Sequence, residues 1–414
     1  MNKILRKIEK FIPKRLYRLG QPVYHFLLTF VGAILYRFPA KKIKVIGITG
    51  TKGKSTTTEI INSIFENAGH KTAVSGTIRF KVGDKESPNK YKMSMPGRFF
   101  MQKFLSDAVK AGCDFAIIEM TSEGSKQFRH KFIYTDAFVF TNLSPEHIEN
   151  HGSFENYKNA KIKMVDNLKY KKGVLIVNEE SEYANDFLER YDGPAKGFSI
   201  KKTIIESISP IQFCFDKSQY LSQLVGEFNI ENILAAITVA EHFEIPIEKI
   251  IEGVSSLKEV RGRAQFVPNN LGIDIVVDYA HTPDSLEAIY KAFSNKRILG
   301  VLGNTGGGRD KWKRPEMAKI ANKHCDQIIL TDEDPYDEDP ETIVQEMMEE
   351  IDGSKLEIEM DRKKAIKKAI MKACSGDAVI ITGKGTDPYI MRANGEKEPW
   401  SDFEKVNEIL EELN

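Results

Sequence analysis

Beyond residue 42 the apolar positions fall into short β-branched runs separated by stretches with helical spacing. The runs are IKVIGIT (43–49), followed by a helix from Ser55, then FAIIEM (115–120), AFVFTN (137–142) and GVLIVN (173–178). Strand and helix in alternation predict a mostly parallel sheet with helices on both faces. From about Phe198 to Val225 the pattern shortens to alternating segments such as IQFCF, which predicts an antiparallel flap or edge. Helical spacing returns over Asn229–Phe243, with Ile230, Ile233, Leu234, Ala235, Ile237 and Ala240 on the apolar side. A second alternating series begins near Val260: IDIVVDYA (273–280), RILGVLGN (297–304), QIILTDED (327–334) and DAVIITGKG (377–385). This places a boundary near residues 258–262. In both series the polar, Gly-rich or charged clusters come directly after the strands, where open α/β sheets bind ligands.

The N-terminal stretch differs. Val23–Tyr36 is an apolar run behind basic residues, without a small-residue cleavage site, and Pro39-Ala40-Lys41-Lys42 leads straight into a strand. A spanning helix needs about 20 apolar residues. The run therefore reads as a buried helix or as a monotopic anchor, with Lys3, Arg6, Lys7, Lys10, Lys14, Arg15 and Arg18 facing lipid headgroups. Charge sharpens the contrast: the whole chain carries 60 Lys and Arg against 59 Asp and Glu, yet Met1–Lys44 holds eleven basic residues and one acidic, Glu9. The body is slightly acidic, which argues against nucleic-acid binding. Cys113, Cys214, Cys325 and Cys374 are widely spaced, so neither a zinc site nor a disulfide framework is signalled, and a reducing cytoplasm is the expected home.

Gly47-Ile48-Thr49-Gly50-Thr51-Lys52-Gly53-Lys54-Ser55-Thr56 lies between a predicted strand and a predicted helix. Backbone N–H groups and the helix N-terminus there are suited to cradle phosphate, with Lys54 on the outer phosphates and Ser55 on Mg²⁺. Ile48 stands where the generic GxxxxGK[ST] pattern has its first glycine. The expected fold is thus a central P-loop ATPase-like, mostly parallel α/β domain (43–259) and a C-terminal Rossmann-like α/β domain (260–414), preceded by a basic amphipathic helical arm (1–42).

The form GTxGK[ST] resembles the phosphate loop of the Mur ligase family, the ATP-dependent amide-forming enzymes of peptidoglycan synthesis. Glu119-Met120-Thr121-Ser122 with Gln127 and Arg129 resembles the family's EVSS…QxR block, and Thr141–His147 with His151-Gly152 resembles TNLxxDHxxxHG. Tyr157–Lys161 resembles the YxxAK segment that carries a carbamylated lysine. Gly226–Asn232 resembles GxFNxxN, Asp278–Pro283 is DYAHTP, Asn304–Arg314 resembles GGxRDxxKR, and Gly383–Asp387 matches GKGHE loosely. DYAHTP with the GGxRDxxKR stretch points to the branch that adds a diamino acid to UDP-N-acetylmuramoyl-L-Ala-D-Glu through an acyl phosphate.

The resemblance implies the following roles. ATP is held by Gly50 to Thr56 (with Thr51, Lys52 and Gly53), Asn142, Asn229, Asn232, Arg263, Asp278, Tyr279 and His281. Mg²⁺ is held by Ser55, Glu119, His147 and a carbamate on Lys161, since an ammonium has no lone pair to offer a metal. Lys54, Glu119, His147 and Lys161 are the expected catalytic set. Ser94, Arg98, Thr121, Gln127 and Arg129 address the muramoyl-peptide acceptor, and Arg309, Asp334, Tyr336, Gly383 and Asp387 the incoming amino acid. Without the family pattern, Lys161 reads as a solvated helix lysine and His147 as a structural histidine.

Four departures stand out. Glu333-Asp334-Pro335-Tyr336 replaces DNPR and so lacks a guanidinium for bidentate carboxylate pairing. Asp387 replaces a glutamate, and Ser94–Phe99 replaces a TTPE-like loop. The phosphate loop also begins at residue 47, without the N-terminal UDP-binding domain of roughly a hundred residues that the branch usually carries. Alternatives are a Mur-type ligase with a lipid-linked or folylpolyglutamate-like acceptor, or a membrane-attached nucleotide-binding protein without ligase activity. A monomer in the cytoplasm, at the inner face of the membrane through residues 1–40, is expected.

Overall fold

The structure, a computed structural model, describes residues 14–146, 148–169 and 172–413, with side chains from residue 20 onward. His147, Lys3, Arg6, Lys7 and Lys10, and the side chains of Lys14, Arg15 and Arg18, lie outside the described residues. The chain divides into two compact units: residues up to Leu143 with Glu155–Phe198 and Ile237–Ile245, and Ser144–Phe154 with Ser199–Ala236 and Pro246–Asn414.

The first unit opens with helix α1 (Lys14–Leu35). Strands β1 (Lys44–Thr49), β2 (Thr72–Ser75), β3 (Arg79–Val82), β4 (Lys85–Pro88), β5 (Phe115–Glu119), β6 (Ala137–Phe140), β7 (Val174–Asn178) and β8 (Ala195–Phe198) form one sheet in the order β4-β3-β2-β5-β1-β6-β7-β8. The strands from β2 to β8 along that order are parallel, and β3 and β4 extend the edge as antiparallel strands. Helices α2 (Lys54–Asn67), α3 (Arg98–Lys110) and α4 (Phe154–Ile162) belong to this unit. Because β1, β5, β6 and β7 are buried at nearly every position, they read as continuous apolar runs rather than alternating ones. β1 lies between β5 and β6, so the chain leaving β1 enters a crevice flanked by the carboxyl ends of two neighbours, the place where open α/β sheets bind ligands.

The sequence left α1 as either buried or a surface anchor; it is two-faced. Thr29 and Ala33 are fully buried, while Val23, Leu27, Val31, Ile34 and Leu35 are half or more exposed.

In the second unit β9 (Ile204–Ile208), β10 (Ile211–Phe215) and β11 (Ser218–Ser222) form the antiparallel flap that the alternating pattern predicts. Helix α5 (Glu227–His242) follows, divided after Ala236 between the two units, then α6 (Ile247–Ser256). Strands β12 (Gln265–Phe266), β13 (Asp274–Val277), β14 (Ile298–Leu302), β15 (Gln327–Leu330), β16 (Leu356–Ile358) and β17 (Ala378–Ile381) make a sheet ordered β12-β13-β17-β14-β15-β16, parallel except for β12. Its two faces divide by strand periodicity. Ile298, Leu302, Ala378 and Ile380 pack with α7 (Pro283–Ala292), α8 (Lys313–His324) and α9 (Pro340–Met348). Leu299, Val301, Val379 and Ile381 pack with α10 (Arg362–Lys372) and α11 (Asp402–Leu413). A small hairpin, β18 (Tyr389–Met391) with β19 (Lys397–Pro399), sits between β17 and α11 in the chain.

Candidate active site

The phosphate loop is held from the β6 side of β1. Thr51 N–H donates to Asn142 O (2.9 Å), Lys52 N–H to Asn142 Oδ1 (2.9 Å), and Thr141 Oγ1 to Lys52 O (2.6 Å), so the end of β6 fixes the loop's course. Gly50 has φ +154° and a Cβ there would stand 1.9 Å from Thr141 Oγ1; only glycine fits. Gly53, at φ +81°, precedes α2 and no side chain caps that helix, which leaves its first N–H groups aimed at the loop's concavity.

Positive charge gathers there. Lys54 Nζ donates to Gly50 O (2.8 Å) and Thr51 O (2.7 Å), and Lys161 Nζ donates to the same Gly50 O (2.7 Å). Lys161 is 2% exposed, with its Nζ 4.8 Å from the Tyr157 ring centroid, while Tyr157 Oη meets Thr51 Oγ1 at 3.0 Å. The solvated-lysine reading is therefore overturned: α4 turns Lys161 inward because its neighbour Tyr157, one turn earlier, is buried against the loop. Two ammonium groups on one carbonyl oxygen, beside a glycine cradle and a helix N-terminus, suit a polyphosphate. Ser55 and Thr56 are buried in the first turn of α2.

Glu119, at the end of β5, is 1% exposed. Its carboxylate accepts from Thr77 N (2.7 Å), Thr77 Oγ1 (2.8 Å) and Ser94 Oγ (3.3 Å), which joins it to an expected acceptor residue. Thr121 caps the short helix Ser122–Lys126 by accepting from Gly124 N, so its hydroxyl already has a structural task. Arg98, Gln127 and Arg129 come together: Arg98 Nε donates to Gln127 O (3.1 Å), and Arg129 Nη2 donates to Gln127 Oε1 (2.7 Å). Glu123 is the carboxylate whose charge acts on Arg129. A fourth member, unmarked by any sequence motif, is His25 of α1, whose Nδ1 meets Arg98 Nη2. Burial, then Arg98 and Arg129, push the His25 imidazole down to about 4.

In the second unit the expected residues again follow strand ends. Asp278, after β13, accepts from the N–H groups of Ala264 and Ala280 (2.6 Å each), and burial pushes its carboxyl up. The Arg263 guanidinium lies 4.2 Å from the Tyr279 ring centroid. The Asp387 carboxylate, together with burial, pushes the Tyr279 phenol well up, so it stays protonated. His281 Nδ1 meets Tyr279 O at 2.8 Å and its Nε2 meets Glu146 Oε1 at 2.9 Å. Asn229 Nδ2 donates to Val225 O and Asn232 Nδ2 to Asn229 Oδ1, so the two amides one turn apart form a buried pair.

Asp334 was expected to face an incoming amine. Its amine belongs to this chain: Lys384 Nζ, fully buried, lies 2.7 Å from Asp334 Oδ1 and 3.7 Å from Asp387 Oδ2, and Met391 N–H shares the same Asp334 oxygen. Tyr336 sits at φ +54° with its hydroxyl 3.4 Å from Arg309 Nη2. Gly383 lies against Glu333, where a Cβ would meet Oε2 at 2.2 Å. A cleft lined by Glu146, Glu149, His281, Arg309, Asp310, Trp312 and Lys313 adds residues that the sequence reading did not assign. Burial and a hydrogen bond with Asp310 push Glu149 up to about 7, and burial pushes Lys313 down while its Nζ donates to His281 O. The RDKWKR stretch was the available signal for Asp310 and Lys313.

Comparison with known proteins agrees with this arrangement. Residues 48–240 match the Mur ligase middle domain and residues 262–385 the Mur ligase, glutamate ligase domain. A UDP-N-acetylmuramoyl-L-alanyl-D-glutamate--2,6-diaminopimelate ligase of Clostridium perfringens is 35% identical over 398 residues, covering 90% of this chain and 79% of the relative. A protein of the same name from Clostridium acetobutylicum, with the numeral 1, is 33% identical over 407 residues, covering 93% and 82%. A solved structure of a ligase of that name superposes with a TM-score of 0.61 at 29% identity over 90% of this chain and 79% of the other. A Mycobacterium tuberculosis folylpolyglutamate synthase complexed with ADP and AMPPCP superposes at 0.70 over 87% of this chain and 93% of the other, and its 16% identity speaks for the fold alone. Phosphate cradle, strand-end clusters and these likenesses together make the chain a member of the Mur ligase family.

Proposed function

We propose that this chain is an ATP-dependent ligase of peptidoglycan-precursor synthesis, joining a diamino acid to UDP-N-acetylmuramoyl-L-Ala-D-Glu. The relatives at about a third identity carry names for this reaction with 2,6-diaminopimelate. The observation that carries the reading is the glycine cradle at a helix N-terminus, with Lys54 and the buried Lys161 both reaching Gly50 O.

In this reading Gly50–Thr56 and Asn142 hold the ATP phosphates. Asn229, Asn232, Arg263, Asp278, Tyr279 and His281 contact the rest of the nucleotide. Phosphorylation of the acceptor carboxylate gives an acyl phosphate, and attack by the amine expels phosphate; cations must offset the charge gathered in both steps. A hard divalent cation suits the oxygen donors available: the buried Ser55 hydroxyl, the buried Glu119 carboxylate and, once carbamylated, Lys161. Bound there, Mg²⁺ offsets phosphoryl charge. Arg98, Gln127 and Arg129, with Ser94, engage the acceptor's anionic groups. Arg309, Tyr336 and Asp387 select the amino acid, and Tyr336 leaves one guanidinium fewer for a second carboxylate than an arginine would. The enzyme acts as a cytoplasmic monomer in peripheral contact with the membrane through residues 1–40.

The test is phosphate release by the purified enzyme with UDP-N-acetylmuramoyl-L-Ala-D-Glu, ATP, Mg²⁺ and a panel of diaminopimelate, lysine and ornithine, with mass spectrometry of the product. One new amide is expected, and Lys161→Ala is expected to lower turnover by at least about 10³-fold, the scale of losing a charge-stabilising group. ATP binding without product across the panel would sink this acceptor assignment.

A further inference from the structure

Helix α1 carries an apolar stripe that no described residue of its own unit covers. Val23 (61%), Tyr24 (47%), Leu27 (52%), Val31 (50%), Ile34 (50%) and Leu35 (63%) are exposed, and at about 100° per residue they fall within one arc of about 120°. The helix cannot roll to hide them. On the opposite arc Thr29 Oγ1 reaches His25 O (2.9 Å) and Phe128 O (3.2 Å), while at the flank of the stripe the partly exposed Phe26 and Phe30 pack one side on Phe132 at 5.7 and 5.6 Å between ring centroids. Gly32 lies against α3, with Phe99 and Gln102 at van der Waals distance from where a Cβ would stand. Phe128 and Phe132 themselves adopt φ +58° and +62°, a region disfavoured for residues with a Cβ, so their placement under the helix is set by the surrounding fold.

The occupant follows from charge and length. Eleven of the first 44 residues are Lys or Arg and one is acidic, whereas the rest of the chain is net acidic. A second copy would bring two basic arms together, while an anionic surface attracts the arm and repels the body. No helix among the described residues is long and apolar enough to cross a membrane. We propose that α1 is an in-plane docking element for an anionic bilayer, its Val23–Leu27–Val31–Ile34 stripe sunk at the headgroup boundary and the basic charge of the N-terminal sequence attracted to anionic lipid. Docked in this way, α1 carries His25 and the Arg98–Gln127–Arg129 cluster within one helix diameter, about 10 Å, of the lipid surface. The proposal rests on the peripheral-membrane part of the function above and is independent of the ligase chemistry.

The test is co-sedimentation of the full chain with phosphatidylcholine vesicles containing about 30% phosphatidylglycerol, against vesicles of phosphatidylcholine alone. Binding to the anionic vesicles, weakened by salt, is expected. The double variant Leu27→Glu with Val31→Glu should lower partitioning at least about tenfold while leaving the thermal melt and phosphate release unchanged, because both positions are half exposed. A second variant with Arg6, Lys7 and Lys10 changed to Gln removes charge without touching the stripe and should also release the protein. Equal binding by the stripe variant, no binding by the wild type, or a dimer in vesicle-free solution that the stripe variant abolishes would each overturn the proposal. Vesicle binding without ligase activity would uphold it and overturn the acceptor assignment instead.

Discussion

A methyl group at residue 50 has nowhere to go, since its carbon would stand 1.9 Å from Thr141 Oγ1 on a backbone at φ +154°. Gly50→Ala is therefore expected to cost about 1–3 kcal/mol of stability and to abolish ATP binding, read by urea unfolding and by nucleotide titration. Two histidines make stability depend on pH. His130 is 3% exposed, and burial pushes it down to about 4, as burial with Arg98 and Arg129 does His25. Unfolded, each titrates near 6.5, so the unfolded chain binds more protons between pH 6.5 and about 4. The contribution is complete above pH 6.5 and is lost as pH falls through that window. The urea midpoint should drop on acidification, and a His25→Gln, His130→Gln variant should flatten the slope. Neither histidine announces itself in sequence, because the guanidiniums and backbone that surround them come from other segments.

At the scale of elements, α10 and α11 are joined by a buried ion pair. Arg362 donates from Nε and Nη2 to the two oxygens of Asp402, both at 2.8 Å, with side chains 1% and 0% exposed. Arg362 also donates to Thr382 O and Asp332 O, so it ties the ends of β17 and β15 as well. Arg362→Met leaves the Asp402 charge buried with only the Trp400 indole N–H, and should cost about 3–5 kcal/mol in urea unfolding. Adding Asp402→Leu should restore part of that loss. The strands that flank this pair were legible, since a buried parallel strand must be a short β-branched run. The antiparallel flap was legible by its alternation. The pair itself was not, since forty residues separate its members and nothing local marks either as buried.

At the scale of the whole molecule, nucleotide binding should appear as stability. ATP at about a hundred times its Kd is expected to add about 2.7 kcal/mol, seen as a raised melting temperature that Gly50→Ala abolishes. The order of residues alone determined the two α/β series, the boundary near residue 260 as an expectation, and the phosphate loop, because strand runs and the glycine-lysine-serine turn depend on neighbours in the chain. Tertiary structure decided where charge and exposure ended up. Lys161 reaches Gly50 O across 111 residues, Asp334 pairs with Lys384 across fifty, and α1 buries one face and bares the other. Burial and charge pairing are set by which distant segments fill the space around a side chain, and that is fixed only once the sheets are assembled.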